Sequence, residues 1–474
     1  MKDYIRKTKI ICTLGPSTDG VLRQLMESGM NVGRFNFSHG THEEHAKRVQ
    51  EFDALRKELN LPVARLLDTK GPEIRIGDFE NGSIMLKEGQ KFTLTTEEML
   101  GNEEKVTVSY KELPQDVKEG NNILIDDGLI NMRVDKTTNT DIECTVLNGG
   151  KISNKKGVNV PNVDLSMPFM SEKDKSDLLF GIEHDFDFIA ASFTRTADDI
   201  NEMRQFLKDH GETDVKIIAK IESNQGVANI DSIIEAADGI MVARGDMGVE
   251  IPLEEVPSIQ RMIIKKVYKS GKYVVTATQM LDSMIKNPRP TRAEATDVAN
   301  AVYEGTSAVM LSGETAAGKY PVEAVQTMVK IAERAEKDID YVSRLSKRKI
   351  NQESTISDAV SHSACTMAAD IKASAIISVS MSGRTVRMVS KYRPESPIIA
   401  GCIQSKVWRQ MALSWGVTPI YIDKASDSEE LFANAIDAAK KSGLVKEGEK
   451  VIITAGVPVG VSGVTNLIKA VKIK

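Results

Sequence analysis

Charged residues directly follow several short apolar segments of this 474-residue chain. The segment IIAKIE puts Lys220 and Glu222 on one side of a predicted strand, and a later apolar segment is followed by Asp246. Carboxylates at the ends of consecutive strands can converge, and their oxygens suit Mg²⁺ or Mn²⁺. Arg34, Arg75 and Lys220 supply positive charge, which phosphoryl transfer needs because negative charge spreads over the oxygens of the transferring group.

A second set of side chains offers oxygen atoms after two earlier apolar segments. Amide, hydroxyl and carboxylate oxygens with little positive charge nearby can hold a second cation. The members of this set are Asn36, Ser38, Asp68 and Thr69. Taken alone, each candidate also has an ordinary structural interpretation. Asp68 can end a strand in a turn, Asp246 can cap a helix, and Thr278 or either arginine can serve packing or a surface ion pair.

Composition argues against several classes of protein. The net charge is -5, from 62 basic and 67 acidic residues, and aromatic residues make up 5% of the chain. These values predict no nucleic-acid partner. The four cysteines form no C-x-x-C pair, so we expect reduced thiols and a cytoplasmic location. No apolar stretch approaches the roughly 18 residues of a membrane span, so no membrane association is expected.

Short apolar runs alternate with longer periodic runs along most of the chain, which indicates alternating strands and helices. Three such strands precede residue 71 and five follow residue 167, the count of a (β/α)₈ TIM barrel. Residues between them form short alternating runs typical of hairpins, and predict a small inserted β-barrel. After a polar linker at 341–355, a doubly wound α/β domain is expected. The predicted domains are 1–70 with 168–340, 71–167, and 355–474.

Barrel enzymes carry their sites at the carboxyl ends of the strands, so the polar residues described above are expected on one rim. The seventh strand adds Thr278 to this rim. Two other patterns compete with this interpretation. Residues 313–319 nearly match a P-loop but lack its final Ser or Thr. His39, His42 and His45 have a spacing open to zinc, although the exposed first turn of a helix is the preferred interpretation of the last two.

Six segments resemble the motifs of the pyruvate kinase family, in the order in which that family has them. They are MNVGRFNFSHG at 30–40, LDTKGPEIR at 67–75, KKGVN at 155–159, IAKIE at 218–222, MVARGD at 241–246 and TATQML at 276–281. They cover the barrel and the inserted domain, and the C-terminal domain resembles the family's regulatory domain more loosely. Gly33 and Phe35 depart from the residues of many relatives, which we expect to alter packing and leave the chemistry unchanged.

The resemblance implies an enzyme that moves a phosphoryl group between phosphoenolpyruvate and ADP or ATP, with Mg²⁺ (or Mn²⁺) and K⁺ as cofactors. It also implies a mobile lid formed by the inserted domain and assembly as a homotetramer. The implied catalytic residues are Lys220, Arg34 and Thr278, and the substrate-binding residues are Arg34, Lys220, Gly245, Asp246 and Thr278. The implied Mg²⁺ ligands are Glu222 and Asp246. The implied K⁺ ligands are Asn36, Ser38, Asp68 and Thr69. The implied nucleotide contacts are Asn36, His39, Arg75 and Lys156.

Two further expectations concern regulation and cation dependence. Family members with Glu at the position of Glu73 resemble potassium-dependent enzymes, so potassium dependence is predicted. The C-terminal domain contains a strand-to-helix turn that resembles a sugar-phosphate or AMP effector site, together with a Gly-rich loop at 456–465. The residues of that turn are Ser380, Ser382, Gly383, Arg384 and Thr385. An ordinary turn without a ligand is the alternative.

Two rival functions stay open at this point. A metal-dependent barrel can be a lyase or aldolase acting on pyruvate-like substrates, although such enzymes need no lid, K⁺ ligands or ADP site. A catalytically weak metabolite sensor is the second rival, against which the joint presence of Lys220, Glu222, Asp246 and Thr278 argues. A test of ADP dependence separates all three functions.

Overall fold

The computed structural model describes residues 4–348, 355–458 and 465–474. Its first elements alternate between buried strands and helices that cover them. These elements are β1 (Lys9–Thr13), α1 (Leu22–Ser28), β2 (Val32–Asn36), α2 (His42–Glu58) and β3 (Ala64–Asp68). Helix α2 begins with a capping box, in which the Thr41 hydroxyl accepts from the backbone N–H of Glu44 and the Glu44 carboxylate accepts from the backbone N–H of Thr41.

The inserted domain follows β3 and consists almost entirely of short strands. They are β4 (Ile74–Arg75), β5 (Ser83–Leu86), β6 (Lys91–Thr95), β7 (Lys105–Thr107), β8 (Asn122–Ile125), β9 (Ile130–Thr137), β10 (Asp141–Asn148), β11 (Gly150–Ser153) and β12 (Gly157–Asn159), with one short helix, α3 (Leu113–Asp116). Seven strands form one sheet in the order β4-β12-β8-β9-β10-β6-β7. A bridge between Ile76 and Val108, which directly follow β4 and β7, connects the two edges of this sheet. The alternating side chains bury a separate core, as expected for a small barrel.

The chain then returns to the first barrel and completes it. The remaining strands are β13 (Phe188–Ala191), β14 (Lys216–Ile221), β15 (Gly239–Ala243), β16 (Tyr273–Ala277) and β17 (Ala308–Leu311). The helices are α4 (Glu172–Glu183), α5 (Ala197–Asp209), α6 (Asn224–Ala228), α7 (Ile230–Ala236), α8 (Arg244–Glu250), α9 (Val256–Ser270), α10 (Arg292–Glu304), α11 (Gly313–Ala316) and α12 (Pro321–Lys337). The eight parallel strands close in the order β1-β17-β16-β15-β14-β13-β3-β2, so the predicted (β/α)₈ barrel is confirmed.

Residues 341–355 depart from the prediction of a polar linker. Tyr341–Ser346 form a helix, α13, capped by Asp340, whose carboxylate accepts from the backbone N–H of Ser343. Tyr341 and Leu345 lie on the same face of α13 and are buried, so this helix packs against the protein. Residues 349–354 of the predicted linker lie outside the described residues.

The C-terminal domain has the predicted α/β architecture. Its elements are α14 (Ile356–Asp370), β18 (Ala375–Val379), α15 (Arg384–Ser390), β19 (Ile398–Cys402), α16 (Ser405–Gln410), β20 (Val417–Tyr421), α17 (Ser428–Lys441), β21 (Lys450–Ala455) and β22 (Leu467–Lys472). The sheet order is β20-β19-β18-β21-β22, with apolar clusters on both of its faces. Strand β22 was not predicted, and it pairs antiparallel with β21 at one edge.

Ion pairs, of which Arg409 with Asp187 is buried, join the C-terminal domain to the amino end of the barrel strands. Arg409 of α16 donates to Asp187, directly before β13, at 2.6 Å, and to Asp185 at 2.6 Å. Lys406 of the same helix contacts Asp185 at 3.0 Å and Glu212 at 2.7 Å. These contacts leave the opposite, carboxyl ends of the strands free to carry a site beneath the inserted domain.

Candidate functional site

Four charged side chains meet inside the carboxyl rim of the barrel. The Lys220 ammonium, at the end of β14, lies 3.2 Å from Asp68 Oδ1 and 3.0 Å from Glu222 Oε1. Arg34, near the end of β2, donates its Nε–H to Asp68 Oδ2 at 2.6 Å. Because all four residues are buried, the charges interact strongly and hold one another in place. The structure thus brings Arg34, Asp68, Lys220 and Glu222 together on the predicted rim. The expectation of little positive charge near Asp68 is wrong, because Arg34 and Lys220 both contact its carboxylate.

Burial and charge oppose each other in this cluster. Burial alone would lower the pKa of Lys220, but Asp68 and Glu222 overcome it and raise that pKa above its usual value. Burial would raise the pKa of Asp68, whereas Arg34 and Lys220 together bring it below its usual value. Burial raises the pKa of Glu222, with Lys220 opposing the rise and the charge of Asp246 adding to it. Lys220 is thus held as a cation, but its charge does not fully offset the effects of burial and of Asp246 on Glu222.

Glu222 and Asp246 follow adjacent strands, β14 and β15, whose register pairs Lys220 with Met241. Glu222 Oε2 accepts from the backbone N–H of Phe193 at 2.5 Å. Its other oxygen, Oε1, is buried and lies 3.0 Å from the Lys220 ammonium. A buried carboxylate beside a second acidic group, Asp246, fits a divalent cation. No cluster of three or more His, Cys, Asp or Glu suited to a metal occurs within residues 4–348, 355–458 and 465–474, so this pair would need ligands from substrate or water.

The first turn of α8 packs directly against the loop after β16. A Cβ atom at Gly245 would lie 2.7 Å from Thr278 Cγ2, so only glycine fits without a shift. Thr278 has a φ of 74°, a left-handed conformation that is costly for a β-branched residue. Arg244 stabilises this loop by donating to the carbonyls of Ala277 at 3.2 Å and Thr278 at 2.7 Å.

Asp246 lies within α8, which begins at Arg244 and has Ala243 in the capping position. The alternative interpretation of Asp246 as a helix cap is therefore wrong, because the helix starts two residues earlier. Alanine has no side-chain oxygen that could accept hydrogen bonds from the N–H groups of the first helical turn. These N–H groups therefore have no side-chain cap. The N–H groups at Gly245 and Asp246 are thus suited to an anion.

The predicted oxygen set for a monovalent cation lies at the ends of β2 and β3. Asn36 and Asp68 are register partners, which brings their side chains side by side. Asn36 Oδ1 accepts from the backbone N–H of Ser38 at 3.2 Å, and Ser38 is exposed. Thr69 is buried, and its hydroxyl donates to the carbonyl of Ala190 at 3.3 Å. This set contains oxygen donors only, the ligand type that suits a hard cation.

The inserted domain contributes a second charged group above the rim. Arg75 forms a bidentate pair with Glu73, at 2.9 and 2.6 Å, and Lys156 contacts Asp126 at 2.8 Å. Burial, and then the charges of Asp246 and Asp126, raise the pKa of Asp127. The loop between β8 and β9 faces α8 of the barrel, since a Cβ atom at Gly128 would lie 3.9 Å from Val249 Cγ1.

The two competing patterns have structural roles. His45 stacks on Phe37 with ring centroids 4.1 Å apart, and His42 Nε2 lies 2.7 Å from Asp177. His39 is exposed, and its carbonyl lies 2.9 Å from His45 Nε2. The P-loop-like segment forms the short helix α11, in which the Glu314 carboxylate accepts from the backbone N–H groups of Ser312 and Leu281.

The predicted effector turn lies between β18 and α15. Gly383 has a φ of 75°, and a Cβ there would lie 2.4 Å from Met411 Cε, so glycine is required. Ser380 and Thr385 are buried, Arg384 is exposed, and the carbonyl of Ser382 accepts from Arg387 at 3.4 Å. The hydroxyl of Thr385 accepts from that of Thr465 at 3.0 Å. Residues 459–464 of the predicted second loop lie outside the described residues.

Three residues near the rim were not assigned a role from sequence. Ser192 follows β13 and accepts from Lys220 at 2.7 Å. Thr13, at the end of β1, accepts from Arg34 at 3.0 Å. Arg244 was noted only as part of a motif. The signal for Ser192 and Thr13 was available, because both are polar residues at the carboxyl ends of barrel strands.

Comparison with known proteins gives consistent results over the whole chain. A family profile described as "Pyruvate kinase, barrel domain" matches residues 5–325, and "Pyruvate kinase, alpha/beta domain" matches residues 358–471. The pyruvate kinase of Clostridium acetobutylicum is 52% identical over 468 residues, covering 98% of this chain and 99% of that protein. That of Geobacillus stearothermophilus is 54% identical, covering 98% and 80%. A crystal structure of a pyruvate kinase from Cryptosporidium parvum superposes with a TM-score of 0.95 at 42% identity, covering 99% and 96%.

The protein is a closed β/α barrel, and an inserted domain lies over its carboxyl rim. A buried cluster of opposite charges at this rim defines a barrel enzyme that acts on charged substrates. The matches narrow this class to a phosphotransferase. The chain belongs to the pyruvate kinase family, which requires divalent and monovalent cations. Among the described residues, no helix has the length and apolar character needed to span a membrane.

Proposed function

We propose that this chain transfers the phosphoryl group of phosphoenolpyruvate to ADP, giving pyruvate and ATP, with Mg²⁺ or Mn²⁺ and K⁺ as its cofactors. The buried contact of Lys220 with Asp68 and Glu222 is the observation that carries this proposal. A lysine kept charged inside a barrel is suited to an anionic group whose charge is redistributed during reaction. Membership of the pyruvate kinase family supports the choice of substrates.

In this mechanism, Lys220 and Arg34 bind the phosphoryl group from one side. Asp68 lies between them, at 3.2 Å from the Lys220 ammonium and 2.6 Å from Arg34 Nε, and orients both cations. An oxygen of ADP attacks phosphorus in line, and the bond from phosphorus to the enol oxygen breaks. Because both cations are already oriented by Asp68, little reorganisation is required as charge develops.

Glu222 and Asp246 would hold the divalent cation, and the supporting observation is the buried carboxylate of Glu222 beside the charge of Asp246. When bound, this cation supplies positive charge to the phosphoryl and carboxylate oxygens of the substrate. The N–H groups of Gly245 and Asp246, in the first turn of α8, bind the substrate carboxylate. Thr278, which packs against Gly245, would help place the substrate and the proton that is delivered to the enolate carbon.

Asn36, Ser38, Asp68 and Thr69 would hold K⁺, and their all-oxygen character supports this assignment. We extend the proposal to Glu73, whose carboxylate pairs with Arg75 and Lys70 and which places no positive charge of its own at this position. A lysine at this position would supply an ammonium group in place of K⁺. The activity is therefore proposed to depend on potassium.

The nucleotide side of the site would be formed by Asn36 and His39 of the barrel together with Arg75 and Lys156 of the inserted domain. The inserted domain already contacts the barrel, since Asn159 donates to Glu250 Oε1 at 3.2 Å. Closure of this domain over the rim would exclude water, which would otherwise hydrolyse the phosphoryl donor.

Regulation, assembly and location complete the proposal. The turn of Ser380, Ser382, Gly383, Arg384 and Thr385 would bind a phosphorylated metabolite, which titration of activity with fructose 1,6-bisphosphate, AMP and ribose 5-phosphate tests. No response to any of the three would remove this part of the proposal. We also propose that the chain assembles as a homotetramer. A cytoplasmic location is proposed as well, and the four free, buried thiols are consistent with it. The proposed domains are 1–70 with 168–340, 71–167 and 355–474.

The transfer is tested by measuring ATP formed from phosphoenolpyruvate and ADP with a luminescent ATP assay. We expect ATP to accumulate in proportion to enzyme, and to require phosphoenolpyruvate. Failure to form ATP in the presence of Mg²⁺, K⁺ and each of the three effectors would contradict the proposal.

A further inference from the structure

Ser192 occupies a position between the charged cluster and the oxygen set at the ends of β2 and β3. It directly follows β13, and 1% of its surface is exposed. Its backbone N–H donates to the Thr69 hydroxyl at 3.2 Å. The close approach of Gly71, where an added Cβ would lie 2.9 Å from Ser192 Cβ, fixes the side chain further. The hydroxyl therefore has a defined place in the barrel.

The Ser192 hydroxyl has neighbours from both groups. Its oxygen accepts from the Lys220 ammonium at 2.7 Å. Its single hydrogen has two acceptors within reach, the Thr69 carbonyl at 2.7 Å and Asp68 Oδ1 at 3.1 Å. A hydroxyl can accept one hydrogen bond while donating another, so Ser192 connects the ammonium to these oxygens in one continuous chain.

We infer that Ser192 is a positioning residue for phosphoryl transfer, which orients the Lys220 ammonium and couples it to the oxygens of Asp68 and Thr69 proposed to hold K⁺. This inference rests on the function proposed above. The hydroxyl restricts the ammonium to the point at which it also contacts Asp68 and Glu222. The same hydroxyl also reaches Asp68 Oδ1, one of the oxygens proposed to hold K⁺, so cation binding and the position of Lys220 depend on a shared group.

A purely structural role would have a different consequence. Removing a buried hydroxyl that serves packing alone lowers the free energy of unfolding and leaves kcat and cation affinity unchanged. Removing Ser192 Oγ instead takes one acceptor from Lys220 and one donor from the Asp68 and Thr69 pair. Both functional properties should therefore change in the same variant.

The experiment compares wild type with Ser192→Ala, Ser192→Cys and the control Thr306→Val. Thr306 is also buried and donates its hydroxyl to backbone carbonyls of Val274 and Ala308, but it lies before β17, at the opposite end of the barrel. Pyruvate formation gives kcat at saturating substrates. Calorimetric titration with Tl⁺, a monovalent ion close to K⁺ in size, gives cation affinity without reference to activity.

We expect Ser192→Ala to lower kcat by about 10- to 100-fold, the effect of one hydrogen bond to a charged group. Tl⁺ affinity should fall by about 3- to 10-fold, the effect of one neutral hydrogen bond. Ser192→Cys should fall between wild type and Ser192→Ala, because sulfur is a weak hydrogen-bond partner. It also provides the comparison in case the alanine variant does not fold.

Three results would overturn the inference. If Ser192→Ala had the same kcat and the same Tl⁺ affinity as the control Thr306→Val, the Ser192 hydroxyl would serve packing alone. A lowered kcat with wild-type Tl⁺ affinity would refute the coupling between the cation site and Lys220. A wild-type enzyme that forms no pyruvate would overturn the proposed function and this inference together, and this outcome is distinguishable because it appears before any variant is compared.

Discussion

Replacing Lys220 with Met removes the ammonium from the centre of the site while keeping a side chain of similar length. The substituted group lies 3.2 Å from Asp68 and 3.0 Å from Glu222, and 8% of the residue is exposed. Arg34 remains paired with Asp68 in this variant, so Asp68 keeps one cation. Glu222 keeps its backbone donor from Phe193 but loses the neighbouring positive charge.

The size of the catalytic effect follows from this geometry. An ammonium about 4 Å from a phosphoryl oxygen contributes about 4 kcal/mol at an effective dielectric constant of about 20. If that interaction is made chiefly as charge develops, its loss lowers kcat by about 10³-fold. Burial already raises the pKa of Glu222, so this carboxyl can take up a proton after the substitution. That uptake limits the loss of stability to less than the roughly 3–5 kcal/mol of a broken buried pair.

The assay measures pyruvate formation at saturating phosphoenolpyruvate, ADP, Mg²⁺ and K⁺. Lys216→Met is the matched control, because Lys216 lies on the same strand at its opposite end. We expect the control to retain wild-type kcat and Lys220→Met to lose about three orders of magnitude. Mn²⁺ binding, followed by electron paramagnetic resonance, should persist in both variants. A kcat for Lys220→Met within tenfold of wild type would refute the role proposed for this ammonium.

Three further predictions concern cation dependence, loop geometry and the interface between domains. Glu73→Lys should bring the ratio of activities in K⁺ and Na⁺ close to one, and an unchanged ratio would contradict the proposed role of this carboxylate. Arg244→Met should lower kcat/KM for phosphoenolpyruvate by about 10- to 100-fold, because the substitution removes charged hydrogen bonds to the loop of Thr278. A wild-type kcat/KM in this variant would contradict the role of Arg244 in holding that loop. Lys406→Met should lower the melting temperature at pH 6. Burial would raise the pKa of Asp185, but hydrogen bonds from Lys406 bring it below its ordinary value, so this stabilisation is complete above about pH 4 and is lost as pH falls further. A difference between the two melting temperatures that stayed constant from pH 6 to pH 3 would refute the ion-pair explanation.

The barrel could be predicted from sequence because its signals are local. Each strand is a short apolar run, and the capping boxes at Thr41 and Ser171 mark where helices begin. The polar rim followed from the same count of strands, since barrel sites lie at their carboxyl ends. Lys220 and Glu222 were identified on this basis, and the structure brings them to within 3.0 Å.

Other features lacked such a signal. Strand β22 covers only six positions at an edge of the sheet, and its sequence, LIKAVK, lacks the strict alternation of apolar and polar residues that marks a half-buried strand. Helix α13 has six residues, and three of them are polar or charged. Its burial depends on contacts with distant parts of the chain. The contact of Arg409 with Asp187 joins residues 222 positions apart, which no spacing rule can detect. Long-range geometry of this kind comes only from the folded structure.

The interface between the barrel and the C-terminal domain lies at the amino end of a strand that leads to the site. Asp187 is fully buried and directly precedes β13, whose other end is followed by Ser192. Arg409 of α16 therefore contacts one end of the strand, and the residue that follows its other end accepts from the Lys220 ammonium.

The most direct measurement of the central claim is pyruvate formation from phosphoenolpyruvate, with and without ADP, in Mg²⁺ with either K⁺ or Na⁺. The buried ammonium and the oxygen set at β2 and β3 predict pyruvate only when ADP is present, at a higher rate in K⁺ than in Na⁺. Pyruvate formed equally without ADP would favour a lyase or hydrolase. No pyruvate under any of these conditions, even with the candidate effectors added, would contradict the transfer chemistry and favour a metabolite sensor.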